Sequence, residues 1–72
     1  MIADRQWIGA MRSSFRKGQY TAVDKEKLEI KIENYEVACD LSEGKDPKRS
    51  AAWHVKAKDA AMTLAKFTGT NP

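Results

Sequence analysis

Apolar residues in this chain recur at three- and four-residue steps in three stretches, each bounded by residues that start or stop helices. In the first stretch Trp7, Ile8, Met11 and Phe15 share one face. Asp4 suits the N-cap and Gly18 the position just past the end, which predicts a helix over residues 4–17. Arg5, Arg12 and Arg16 form a narrow basic stripe beside that apolar face.

The second stretch runs from Thr21 to Gly44. Thr21-Ala22-Val23-Asp24 reads as a capping box in which Asp24 replaces the usual glutamate, and Gly44 is expected to close the helix, giving 22–43. Wound at 3.6 residues per turn, Glu26, Glu29, Glu33, Glu36, Asp40 and Glu43 gather within roughly a hundred degrees of arc. Leu28, Ile32, Tyr35 and Cys39 lie on one side of this acidic ridge; Val23, Ile30, Val37 and Leu41 lie on the other. A helix needs one apolar stripe to join a core. Two stripes imply two sets of neighbours, and spacing does not decide which stripe enters the core. One signal competes: Leu28-Glu29-Ile30-Lys31-Ile32-Glu33 alternates as a half-buried strand would. The caps and the length outweigh it, and its one candidate partner, residues 19–23, would make a two-stranded ribbon that is marginal in water.

The third stretch has the clearest limits. Asp46 caps it, Pro47 occupies the first helical position, Gly69 ends it and Pro72 follows, predicting a helix over 47–68. Trp53, Ala57, Ala60, Leu64 and Phe67 form its continuous seam. The joint from Gly44 to Asp46 suits an antiparallel helical hairpin, in which Trp53 would lie near Cys39, Ala57 near Tyr35, Ala60 near Ile32 and Leu64 near Leu28. The last few residues are expected to be loose. The expected fold is therefore all-α: a single three-helix domain over residues 1–72, built on a long antiparallel helical hairpin and self-associating.

Size supports the last point. Seventy-two residues form one domain, and a core this small rarely supplies more than about 3–5 kcal/mol. One cysteine, Cys39, excludes an internal disulfide, and one histidine, His54, argues against a closed zinc site. Association is the remaining route to stability, which predicts a homodimer or larger assembly. A lone thiol suits a reducing compartment, the first residues do not resemble a signal sequence, and no run approaches the roughly 20 apolar residues of a membrane span. A cytoplasmic protein is expected.

The net charge of +3 conceals a segregation. Residues 1–20 carry four basic and one acidic side chain, residues 21–44 three and seven, and residues 45–72 six and two. A basic total invites a nucleic-acid reading, but here the acidic middle can neutralise its own neighbours. The acidic ridge lacks interleaved lysines, so like charges four apart repel by roughly 0.2–0.5 kcal/mol per pair. A cationic surface facing it, on this chain, a second copy or another protein, would relieve that. A solvated face is the plain alternative. A metal is not expected, since a straight helix does not wrap an ion and no Asp-x-Asp-x-Asp-Gly pattern occurs.

Arginine is better shaped than lysine for two-pronged recognition of carboxylates, so Arg5, Arg12 and Arg16 are the first candidates for intermolecular ion pairs. Lys48 and Arg49, at the start of the third helix, are a tentative anion site. Lys48, Lys56, Lys58 and Lys66 do not share one face, and no zinc-finger, basic-zipper or RNA-binding aromatic motif is present. Trp7 and Trp53 sit in apolar stripes, which favours packing over base stacking. Cys39 and His54 are the only nucleophile and base of their kinds, with no oxyanion hole or orienting group to assist them.

These features predict a non-enzymatic, cofactor-free module that binds a partner protein and modulates it, as adaptors, antagonists and assembly factors do. Its contact surface would combine Arg5, Arg12 and Arg16 with Val23, Glu26, Glu29, Ile30, Glu33, Glu36, Val37, Asp40 and Leu41. The alternative is a small DNA- or RNA-binding regulator that uses the basic residues of the first and third helices.

Overall fold

The computed structural model describes residues 2–17 and 20–72, with only the backbone of Arg16 and Lys17. Gly18, the expected stop of the first helix, lies outside the described residues. Three helices, α1 (Arg5–Lys17), α2 (Ala22–Ser42) and α3 (Pro47–Thr68), account for the secondary structure, with no strand among the described residues. The alternating segment 28–33 is helical. Its alternation arises because Leu28 and Ile32, four apart, face inward while Ile30 faces solvent.

The caps explain the limits. Asp4 accepts the Trp7 amide through Oδ1 at 2.9 Å and opens α1. The capping box of α2 is complete: Thr21 Oγ1 accepts from the Asp24 amide at 3.2 Å, and Asp24 Oδ2 accepts from the Thr21 amide at 3.2 Å. The Thr21 hydroxyl also donates to Asp24 Oδ2 at 2.8 Å, and this bond first, then the one from the Thr21 amide, lowers the Asp24 pKa. α3 opens on Asp46 with Pro47 in its first turn and ends at Gly69, whose φ of 69° is left-handed. The end of α2 differs in detail from expectation. Glu43 is the C-cap, one residue before Gly44, and Gly69 is the only glycine with positive φ among the described residues. The chain leaves α2 by tightening instead, with amides of Glu43 and Gly44 donating to the carbonyls of Asp40 and Leu41 at 3.1 and 3.2 Å.

α2 and α3 pack closely, and α1 adds to the same core. Trp7, Ile8, Met11 and Phe15 of α1 join Leu28, Ile32, Tyr35, Ala38 and Cys39 of α2 and Ala57 and Leu64 of α3 in one buried cluster. Trp53, Ala60, Ala61, Ala65 and Phe67 cover its edges. Small residues of α3 thus meet large ones of α1 and α2, as interdigitated packing requires. At the joint, the Ser50 hydroxyl donates to the Ser42 carbonyl and the Ser42 hydroxyl to the Cys39 carbonyl at 2.6 Å, satisfying carbonyls the end of α2 leaves open.

Two polar-tipped aromatics tie distant parts of the chain together. Trp7 and Tyr35 meet edge to face, centroids 5.5 Å apart. The Tyr35 hydroxyl accepts the Asp4 amide at 3.0 Å, and the Trp7 indole donates to the Thr70 carbonyl at 2.9 Å. The C-terminal residues, expected to be loose, are held as far as Thr70. Phe15 stacks between Tyr20 and Phe67, with centroid separations of 3.8 and 5.4 Å.

Candidate interaction surface on the second helix

The structure decides between the two apolar stripes of α2. Leu28, Ile32, Tyr35 and Cys39 are buried, whereas Val23, Ile30, Val37 and Leu41 are 59%, 52%, 46% and 40% exposed. The second stripe lies diametrically opposite the first on the helix. It is an apolar lane with no covering element, about 27 Å from Val23 to Leu41 at 1.5 Å per residue. Apolar side chains exposed singly are ordinary, whereas four aligned on one helix face make a candidate contact surface.

One flank of the lane is acidic. Glu26, Glu33 and Asp40, seven apart, are exposed beside it, and no ion pair engages them among the described residues. Glu36 is half-buried further round. The candidate residues do not all act alike. Arg12 grips Glu29 within the chain, Nε to Oε1 at 3.0 Å and Nη2 to Oε2 at 2.8 Å. This two-pronged bond raises the already high pKa of Arg12. It also fastens α1 to α2, so the arginine expected to reach outward holds the chain's own ridge. Arg5 is exposed on α1, while the Arg16 side chain is outside the described residues. Arg12, Phe15, Lys25, Leu28 and Glu29 line a shallow hollow of about 310 Å³ beside that pair.

At the tentative anion site the Asp46 side chain caps the start of α3. Pro47 has no amide hydrogen, and the Lys48 amide donates to Asp46 Oδ1 at 3.0 Å. Lys48 and Arg49 are exposed around that cap. Trp7 is buried, and Lys56 lies over one face of the half-buried Trp53 ring, Nζ 4.3 Å from its centroid. Cys39 is fully buried, and burial pushes its thiol pKa up, which disfavours the nucleophilic thiolate. No group of three or more metal-ligating side chains occurs among the described residues. Among the described residues, no helix is long and apolar enough to cross a membrane.

α3 carries an outward apolar pair that sequence spacing did not single out. Val55 and Met62, seven apart, are 60% and 59% exposed. Both point away from the Ala57–Leu64 seam on the helical wheel. The signal was present in the sequence, but two residues did not stand out beside the longer seam. Comparison of the chain with protein families, curated proteins and solved structures finds no match.

Proposed function

We propose that this chain is a small non-enzymatic module that binds another protein and modulates it, self-associates, and works in the cytoplasm. The observation that carries the reading is the uncovered Val23/Ile30/Val37/Leu41 lane on a helix whose opposite face is sealed in the core. Fully burying an exposed side chain of this kind contributes roughly 1.5–3 kcal/mol, and covering four that are about half-exposed recovers a part of that at each. Glu26, Glu33 and Asp40 add charge selectivity along one edge, with Glu36 half-buried behind them. Arg5 is an outlying contact, and the closed Arg12–Glu29 pair forms part of the rim.

In this proposal α2 and α3 form an antiparallel hairpin that stiffens the lane. Two contacts support it: Ser50 meets Ser42 beside the joint, and Lys31 Nζ, from the middle of α2, sits 5.1 Å from the centroid of Phe67, near the far end of α3. A stiff lane binds with less ordering cost than a flexible segment.

The test is affinity capture from native cytosol with the wild-type chain and with Val37→Ala/Leu41→Ala, alongside thermal melts of both. The expected result is capture lost from the variant with its melting temperature nearly unchanged, because exposed substitutions usually shift stability within about 0.5 kcal/mol. Equal loss of capture and folding would remove the assignment.

A further inference from the structure

We propose that the chain assembles head to tail, the outward lane of α2 in one copy seating on the outward face of α3 in a second copy. The inference rests on the proposed function in taking the α2 lane as a contact surface, and it names a second copy as one occupant.

Both faces are apolar at the same interval. Val23, Ile30 and Val37 repeat every seven residues on α2, as do Val55 and Met62 on α3, and all five are exposed. A seven-residue repeat is the spacing at which two helices keep a common seam. Their charges are opposite. The α2 lane is edged by Glu26, Glu33 and Asp40, whereas Val55 and Met62 are bracketed on the helical wheel by Lys48, Lys58 and Lys66. Asp59 is the carboxylate on that face, which stays net positive with it included.

Like-with-like pairings are poorer. Two α2 lanes packed antiparallel set acidic edge against acidic edge. Packed parallel, they offer those carboxylates mainly Lys27, because Lys31 is half-buried and held over Phe67. Two α3 faces would bring lysines together. The pairing of α2 with α3 covers both apolar faces and sets opposite charges side by side, which also selects the partner's orientation. Since the two faces belong to different helices of one molecule, the contact is heterologous, and further copies extend it into a ring or a chain.

Sedimentation velocity on three proteins tests this: the wild type, Ile30→Asp/Val37→Asp, which blocks the α2 face, and Val55→Asp/Met62→Asp, which blocks the α3 face. Circular dichroism verifies the fold, which these exposed positions should leave intact. The wild type should gain mass with concentration, and each variant alone should sediment as a monomer. Mixed together, the two variants should form a capped 1:1 dimer through the one good face that each retains. As a second measurement, Glu33→Lys should weaken wild-type assembly by about tenfold and mixing with Lys58→Glu chains should restore it, as expected for a charge pair across an interface. A wild type that stays monomeric to millimolar concentration overturns the proposal, as does self-association surviving in the α3-blocked variant or a monomeric mixture. If the wild type is monomeric while capture still depends on Val37 and Leu41, self-docking fails and the protein-binding function stands.

Discussion

Tyr35 shows how much a single side chain can hold in a small core. Its ring packs against Trp7 and its hydroxyl accepts the amide of Asp4, the residue that caps α1. Tyr35→Phe keeps the ring and removes that acceptor, so a loss of about 1 kcal/mol is expected. In a domain of this size that is a fall in melting temperature of roughly 4–8 °C, readable by circular dichroism. Leu64→Ala is the contrast: Leu64 is fully buried, and truncation there costs about 2–5 kcal/mol, comparable with all the stability such a core supplies. Loss of a cooperative melt is expected. Burial also raises the pKa of both Tyr35 and Cys39, outweighing for Tyr35 the Asp4 amide that donates to its oxygen. Groups that hold their protons longer when folded leave stability intact below their unfolded pKa values, about 8.5 for a thiol and about 10 for a phenol. Stability is then lost as pH rises from there towards the folded values. Denaturant midpoints measured from pH 7.5 to 11 should decline on the alkaline side, and less steeply above pH 10 for Tyr35→Phe. Parallel curves for the two proteins would show that the phenol does not contribute.

At the scale of elements, the helices are set by short-range chemistry and their arrangement by contacts that spacing does not reveal. Gly69 ends α3 with a φ of 69°, a conformation alanine adopts at a cost. Gly69→Ala should therefore lower stability by roughly 1 kcal/mol, and Thr21→Ala, which opens the α2 capping box, by a similar amount of about 1 kcal/mol. Chemical denaturation would measure both, and an unchanged midpoint for Thr21→Ala would mean the cap frays in solution. These same local devices made α3 legible to the residue from Asp46, Pro47 and Gly69. They were less informative at the end of α2, where Gly44 suggested a left-handed stop and the chain instead tightens at Glu43. The two apolar stripes of α2 were legible as stripes. Their assignment was not, because each has four apolar members, and the choice depends on whether α1 and α3 bring complementary surfaces. Trp7, Met11 and Leu64 decide it by sharing one buried cluster with Leu28, Ile32 and Tyr35. The ties from Trp7 to Thr70 and from Tyr35 to Asp4 join residues 63 and 31 positions apart, beyond any local pattern. The Arg12–Glu29 pair was foreseeable only as one of several places the arginine stripe could dock.

Taken whole, the chain is an acidic helix set between two basic segments, and the uses of the basic side chains compete. In the head-to-tail assembly Lys48, Lys58 and Lys66 face carboxylates of a second copy; in a nucleic-acid regulator the same groups would face phosphates. Salt separates these uses by degree. Exposed charge pairs are screened over about 10 Å at 0.1 M ionic strength and about 3 Å at 1 M, but the apolar lanes are not weakened in this way. Assembly should therefore loosen between these two conditions without vanishing. Binding to duplex DNA through phosphates must instead fall steeply, with a slope that counts the phosphates neutralised. A gel-shift titration and a sedimentation series on the same salt ladder make the comparison. Residual assembly at high salt with no DNA shift near physiological salt is the expected pair of results. A DNA complex at physiological salt that collapses with a steep slope, and that Lys58→Glu/Lys66→Glu abolishes, would assign the basic face of α3 to nucleic acid instead.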